Sequence, residues 1–236
     1  MVVKALITHS KATLLWCFLA GASLPLAFAP FNLFVLAYFA PLVLFYYWSN
    51  ATPKRAALMG FLFGLGLFGV GVSWVYVAIH VHGYAPVPLA VLMTSAFVAF
   101  LSLYPALQGY VSVKLQQRFG LSRIASVLLI YPAVWILIEW LRGWFLTGFP
   151  WLNLGYSQLN TPLVGIAPLF GVYAVSWLTA LTAAMVLVLI LATKHKTRLL
   201  LAGGLTILFV GATALSVIDW TDTQGDPIKV SLIQGN

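Results

Sequence analysis

The chain has 236 residues, of which 62% are hydrophobic and only 7% are charged. A soluble domain is about 25% charged, so this composition excludes an ordinary soluble protein. The net charge of +8 does not indicate a nucleic-acid partner, because the basic residues stand in short clusters between apolar runs and membrane topology explains them better.

Three long stretches, 12–53, 56–113 and 143–193, contain no Asp, Glu, Lys or Arg. One transmembrane helix needs roughly 20 apolar residues, so each stretch has room for more than one. The sequence therefore predicts an all-α polytopic membrane protein with about seven transmembrane helices.

The first apolar run, 12–29, follows a basic start and ends in an A-x-A sequence, as a secretory signal does. A proline directly after that site and a second apolar run close behind favour a retained first helix. This run also holds Cys17, the one cysteine of the chain, which is interpreted as a small packing residue. A turn at 29–32 leads into a second predicted helix at 33–48.

The third predicted helix, 56–79, contains a formal G-x-G-x-x-G sequence at 64–69. A dinucleotide site needs this motif between a strand and a helix, with an acidic residue about 20 positions later. Neither condition is met, so Gly60 and Gly64 are interpreted as small residues that let two helices approach closely.

His80 and His82 follow in a predicted loop and form an H-x-H pair. No Asp, Glu or Cys stands close to them in sequence, so neither a metal nor another cofactor is predicted. Further helices are expected at 87–113, 124–142 and 199–218. The run 163–192 is longer than one span, and Gly165, Pro168 and Gly171 are expected to break its start before the sixth helix.

The fifth helix carries the most informative stretch of the chain. Glu139 lies within an apolar run, and Arg142, three residues later, shares its helix face. Ionisable residues inside membrane segments are costly and usually mark a site. The chain then becomes aromatic and rich in glycine, and Trp151 and Tyr156 are suited to the lipid headgroup level.

The tail differs from the rest. A polar linker is predicted at 219–227, and 228–236 has the β-branched residues and partial alternation of a strand. The predicted domains are thus a helical region, 1–218, a linker, and the first strand of a domain that this chain does not contain.

Cytoplasmic loops are rich in Lys and Arg. With the N-terminus cytoplasmic and seven spans, all but two of the twelve Lys and Arg residues lie on the cytoplasmic side, and the exceptions are Arg142 and Lys229. The loop after Glu139 and the C-terminal end are then periplasmic.

Several ordered segments resemble bacterial apolipoprotein N-acyltransferase, and together they extend over nearly the whole chain. They are E-W-L-R-G at 139–143, T-G-F-P-W at 147–151, G-Y-S-Q at 155–158, G-V-G-V-S-W-V-Y at 69–76, A-P-L-F-G-V at 167–172 and V-S-L-I-Q-G-N at 230–236.

The resemblance implies an inner-membrane enzyme that transfers an acyl chain from a phospholipid to the N-terminal diacylglyceryl-cysteine of a lipoprotein. It also implies a periplasmic nitrilase-like domain with a Glu-Lys-Cys triad, whose thiolate carries the acyl group as a thioester. This chain stops where that domain would begin. Cys17 has no charged neighbour to favour a thiolate, so the chain alone is predicted to be inactive.

The resemblance also suggests a lipid-binding cleft near the loop. Arg142 is the candidate phosphate contact because its fork matches phosphate geometry, with Glu139 holding it in place. Trp151 and Tyr156 would line the cleft, and Trp74 and Tyr76 are weaker candidates. The structural alternative is a buried charged pair and an ordinary belt of interfacial aromatic residues.

Two other functions stay open from the sequence. A small transporter would show internal repeats and interrupted helices near the midplane, and no clear repeat is present. A non-catalytic lipid-binding scaffold is what the chain would be in isolation.

Overall fold

The structure, a computed structural model, describes residues 10–222, 224–226 and 228–234. Within these residues all regular structure is helical, and seven helices of at least three turns follow one another along the chain. They are α1 (Lys11–Ser23), α2 (Leu36–Trp48), α3 (Pro53–Gly71), α4 (Val87–Phe119), α5 (Tyr131–Trp144), α6 (Ala167–Leu191) and α7 (His195–Ser216).

Five helical stretches in the described part of the chain are long and apolar enough to cross a membrane. They are Pro53–Gly71, Val87–Phe119, Arg123–Thr147, Pro162–Leu191 and His195–Ser216. Two apolar helical stretches, Lys11–Ala27 and Leu36–Trp48, are shorter. The all-helical membrane class is confirmed, whereas the count of seven spans stays a prediction.

Close contacts between α1, α3 and α4 form the centre of the bundle. A Cβ added to Gly60 would lie 2.1 Å from the carbonyl oxygen of Pro105, and one added to Gly64 would lie 2.7 Å from the Cα of Ser102. A Cβ on Gly66 would lie 2.2 Å from the carbonyl oxygen of Phe18. The interpretation of Gly60 and Gly64 as helix-packing residues is confirmed, because each lies against the backbone of α4 with no room for a side chain, and Gly66 packs in the same way against α1.

The prediction of one continuous helix over 56–79 is wrong. Helix α3 ends at Gly71, and Val72 leaves the helical conformation with φ −120° and ψ 20°. A short helical turn, Trp74–Val77, and a π-helical turn, Ala78–His82, follow. Gly71 packs against the side chain of Leu152, so this break brings the chain against the loop that follows α5.

Helix α5 continues a run that begins at Arg123–Ala125 and passes through a π-helical turn at Ser126–Ile130. The start of the sixth helix is broken as predicted. Residues Pro162–Ile166 form a separate 3₁₀ turn, and Gly171 interrupts α6 with φ 71°.

Residues 228–234 have no regular structure and are exposed. A strand needs a neighbouring strand to complete its hydrogen bonds, so the assignment of 228–236 as the first strand of another domain stays a prediction. Gly235 and Asn236 lie outside the described residues, as do residues 1–9 at the start of the predicted helical region and two positions, 223 and 227, in the predicted linker.

Candidate functional site

Glu139 and Arg142 lie in the last two turns of α5 and face the protein interior. They are only 5% and 4% exposed, although they are charged and lie in an apolar helix. Their spacing of three residues puts them on the same helix face, as predicted. Burial of a charge is costly unless the charge is compensated by partners, and the loop after α5 supplies them.

The carboxylate of Glu139 joins α5 to the 3₁₀ turn at Leu154–Gln158. Its Oε1 accepts hydrogen bonds from Trp135 Nε1 at 3.0 Å and from the backbone N–H of Leu154 at 2.7 Å. The hydroxyl of Ser176, on α6, lies beside the carboxylate and accepts a hydrogen bond from the Gly155 N–H at 2.7 Å. Glu139 thus fixes the loop against two helices.

The guanidinium of Arg142 binds the preceding part of the same loop. Nη1 donates to the carbonyl oxygens of Phe149, at 3.1 Å, and Trp151. Nη2 donates to Asn153 Oδ1 at 2.6 Å. The guanidinium carbon also lies 5.4 Å from the centre of the Phe68 ring on α3, a distance typical of a cation–π contact.

The two charged side chains take the loop, and not each other, as hydrogen-bond partners. Their opposite charges still attract across the buried site. Carbonyl and amide oxygens of the loop supply the hydrogen bonds of the guanidinium, and the expectation that Glu139 holds Arg142 in place stays a prediction. The two residues act side by side, each on a different segment of the loop.

The loop backbone takes conformations that few sequences allow. Leu146, Thr147 and Leu152 have φ values of 50°, 73° and 60°, in the left-handed region that residues with a Cβ rarely adopt. Gly148 has φ 81° and ψ 151°, a region essentially restricted to glycine. A Cβ there would also lie 2.1 Å from the carbonyl oxygen of Gly143, so the loop requires this glycine.

Beside this loop lies a cavity of about 570 Å³. Trp151 and Tyr156, which the sequence predicted to line a cleft, both contribute to its wall, together with residues before α2 and at the end of α3. The lining residues are Phe28, Ala29, Gly71, Pro150, Trp151, Leu152, Tyr156 and Leu159.

Trp151 is at the centre of an aromatic cluster at the cavity. Its ring stacks on Phe149 with 5.1 Å between centroids and lies 6.2 Å from Trp74. Trp151 and Trp74 are about half exposed. Tyr76, the other weaker candidate, packs instead against His80, with 5.4 Å between ring centroids. The structure thus brings three of the four aromatic candidates together.

A polar network below the loop was not predicted from the sequence. Gln158 is fully buried, and its Oε1 accepts hydrogen bonds from Tyr38 at 2.6 Å and Thr161 at 3.0 Å. In the sequence Gln158 stands beside Ser157 and close to Asn160 and Thr161, so no local signal marks it as buried. Its partner Tyr38 is 120 positions away, so no local pattern connects them.

The described residues contain no group of three or more His, Cys, Asp or Glu side chains that could hold a metal. His80 Nδ1 lies 2.8 Å from the carbonyl oxygen of Ala85, a contact within the turn after the π-helical residues.

The fold and the site define a polytopic helical membrane protein in which a buried charged pair holds a structured, aromatic loop at one end of the bundle. Residues 20–185 match the model of the apolipoprotein N-acyltransferase N-terminal domain. The chain belongs to the apolipoprotein N-acyltransferase family.

Curated relatives agree with this assignment. The chain is 47% identical over 216 residues to an apolipoprotein N-acyltransferase of Methylococcus capsulatus, covering 92% of this chain and 42% of the relative. It is 44% identical over 218 residues to that of Coxiella burnetii, covering 92% and 44%. The chain therefore spans less than half the length of the relatives it matches.

Proposed function

We propose that this chain forms the membrane portion of an enzyme that acylates lipoproteins. The acyl chain would come from a phospholipid, and the acceptor would be the α-amino group of an N-terminal diacylglyceryl-cysteine. Family membership and the names of the relatives support this proposal. In it the protein is a multi-pass protein of the bacterial inner membrane, with the loop end of the bundle facing the periplasm.

The cavity beside the loop carries the proposal. Its volume of about 570 Å³ lies within the range of roughly 300–1,000 Å³ typical of small-molecule sites. Its walls are mostly apolar and aromatic, which suits an acyl chain. Amphipathic aromatic rings are enriched at the headgroup level of a bilayer, and Trp151 and Tyr156 would contact a lipid substrate there.

In this proposal Glu139 and Arg142 position the cavity wall. Arg142 donates to Phe149, Trp151 and Asn153, so its guanidinium already has protein partners. We therefore assign Arg142 the role of a positioning residue in place of the phosphate contact predicted from the sequence.

The chemistry itself is assigned to residues outside this chain. The single cysteine, Cys17, is fully buried within α1, far in sequence from the loop and without access for a substrate. The resemblance implies a nitrilase-like domain with a Glu-Lys-Cys triad, and the proposal places that domain in the part of the full-length protein beyond the matched region.

Acyl transfer by the full-length protein tests the role of the cavity. In proteoliposomes with a labelled phospholipid and a diacylglyceryl-cysteine peptide, we expect Trp151→Ala to lower kcat/KM by roughly tenfold, since one aromatic pair contributes up to about that factor. Trp140→Ala is the matched control, because Trp140 is equally exposed on α5 and packs against Trp144 outside the cavity. Equal activity of the two variants would contradict the assignment of the cavity as the lipid site.

A further inference from the structure

A second groove lies at the opposite end of α5 from the loop. It has a volume of about 330 Å³ and runs between the start of the helical segment that leads into α5 and the last turns of α6. The groove begins at Arg123, and the segment from there to Arg142 is about 30 Å long at 1.5 Å per residue. It is therefore separate from the cavity assigned above. Its wall is apolar except at one edge. The lining residues used below are Arg123, Ile124, Val127, Leu187, Val188 and Leu191.

Arg123 is held at the edge of this groove by neutral groups. Its Nε donates to Ser49 Oγ at 2.7 Å, and the guanidinium carbon lies 5.7 Å from the centre of the Tyr46 ring. Its Nη2 is buried and has no hydrogen-bond partner among the residues that the structure describes. These contacts fix the orientation of the guanidinium without neutralising its charge.

A second arginine contacts a residue of the groove wall. Arg198, in the first turn of α7, donates from Nε to the carbonyl oxygen of Ala192 at 2.9 Å, and Ala192 lines the groove. Lys194, directly before α7, and Lys196, in its first turn, are exposed. The groove thus combines an apolar wall with a cationic rim.

Among the residues that the structure describes, no carboxylate neutralises this rim. The four acidic residues of the chain are Glu139, which is bound to the loop at the other end of α5, and three aspartates that follow α7. Basic pockets between transmembrane helices attract anionic lipid headgroups, and each Lys or Arg near the surface contributes about 1 kcal/mol. The cationic charge at this end of the bundle is therefore expected to attract an anionic headgroup from the membrane.

We propose that this groove binds one anionic phospholipid. Its phosphate lies between Arg123 and Arg198, and an acyl chain lies along Val127, Leu187 and Val188. The length of the apolar wall favours a lipid over a free phosphate ion, which would leave that wall uncovered. This site is independent of the proposed acyl donor site at the loop end. A lipid bound here would therefore stabilise the fold or regulate the protein.

Native mass spectrometry of the purified protein tests the proposal. We expect one phosphatidylglycerol to stay bound under conditions that remove phosphatidylcholine. Arg198→Gln is expected to weaken phosphatidylglycerol binding about fivefold, the factor that corresponds to one arginine at a lipid surface. Leu191→Trp, which fills the groove without a change in charge, is expected to abolish retention of the lipid.

Two matched variants separate a built site from general attraction between charges. Arg118 is exposed at the same end of the bundle, and Leu129 is exposed on the neighbouring helical turn, but neither lines the groove. Arg118→Gln and Leu129→Trp should leave phosphatidylglycerol binding within about twofold of the unaltered protein. Equal losses in Arg118→Gln and Arg198→Gln, or equal retention of phosphatidylcholine, would overturn the proposal. Inorganic phosphate that displaces the lipid at millimolar concentration would overturn the choice of a lipid.

Discussion

At the scale of single residues, the buried charges of α5 are stabilising only while the loop supplies their partners. Glu139 needs the donors at Trp135 and Leu154, and Arg142 needs three oxygens of the loop. A buried charge whose partners are removed is strongly destabilising. This dependence makes the helix end and the loop one cooperative unit.

Replacement of Arg142 by methionine tests this dependence. Arg142→Met keeps the length and apolar body of the side chain but leaves the Glu139 charge and the loop oxygens uncompensated, so we expect a loss of about 3–5 kcal/mol in the free energy of unfolding. Thermal unfolding in detergent micelles measures the loss. Arg118→Met is the control, since Arg118 is exposed. Indistinguishable midpoints for the two variants would show that the loop contacts do not stabilise the fold.

The conformation of the loop depends on one glycine more than on any side chain. Gly148→Ala would place a Cβ 2.1 Å from the carbonyl oxygen of Gly143, at φ 81°. Gly120 also has a positive φ, 58°, but a Cβ there meets nothing within 4 Å. We expect Gly120→Ala to cost about 1 kcal/mol for the left-handed backbone alone, and Gly148→Ala to cost several times more because of the additional clash. Limited proteolysis within 145–153 would report this difference, and equal cleavage of both variants would contradict it.

At the scale of helices, small residues determine how closely α3 approaches its neighbours. In a membrane, helix association relies on close packing, because lipid tails are as apolar as the side chains. Gly60 and Gly64 allow the backbone of α3 to touch α4, and Gly66 allows it to touch α1. One helix therefore supports two interfaces through glycines on different faces.

A pair of alanine substitutions within α3 separates packing from helix propensity. Gly60→Ala would bring a Cβ within 2.1 Å of the Pro105 carbonyl oxygen, whereas Gly69→Ala meets nothing within 4 Å. We expect Gly60→Ala to lower the free energy of unfolding by about 1–3 kcal/mol through overpacking. Gly69→Ala should raise stability by up to about 1 kcal/mol, since alanine is the better helix former. Thermal unfolding of both variants measures these changes in stability. An increase in stability for Gly60→Ala would refute close packing between Gly60 and Pro105.

The approximate positions of most helices could be predicted from the sequence because polar or charged segments separate long apolar runs. The end of α4 could not, since the helix continues past Lys114 and Arg118 to Phe119, beyond its predicted end at 113. The break at Val72 was not predicted, and it accompanies a contact between Gly71 and Leu152, which are far apart in sequence. The shared face of Glu139 and Arg142 followed from helix periodicity. Their hydrogen-bond partners in the loop did not, because the loop backbone has positive φ values at Leu146, Thr147 and Leu152 that no local pattern predicts.

At the scale of the whole molecule, the two ends of the bundle differ in chemistry. The loop end presents aromatic rings, a cavity and the buried residues Glu139 and Arg142, and the exposed charged residues that directly follow α7, Asp219 and Asp222, are acidic. The other end presents exposed cations such as Arg118, Lys194 and Lys196. Positively charged loops are retained in the cytoplasm, so this asymmetry predicts the orientation of the chain in the membrane.

Cysteine labelling in intact cells measures this orientation directly. Fully buried Cys17 is first replaced by alanine, and single cysteines are then introduced by Asn160→Cys at the loop end and Lys196→Cys at the basic end, both exposed positions. With the outer membrane permeabilised, a membrane-impermeant maleimide should label position 160 and leave position 196 unlabelled. Lysed cells, in which both positions should react, provide the control for accessibility. Labelling of position 196 alone would show that the topology is inverted. The aromatic cavity would then face the cytoplasm, on the wrong side for the proposed acylation of exported lipoproteins.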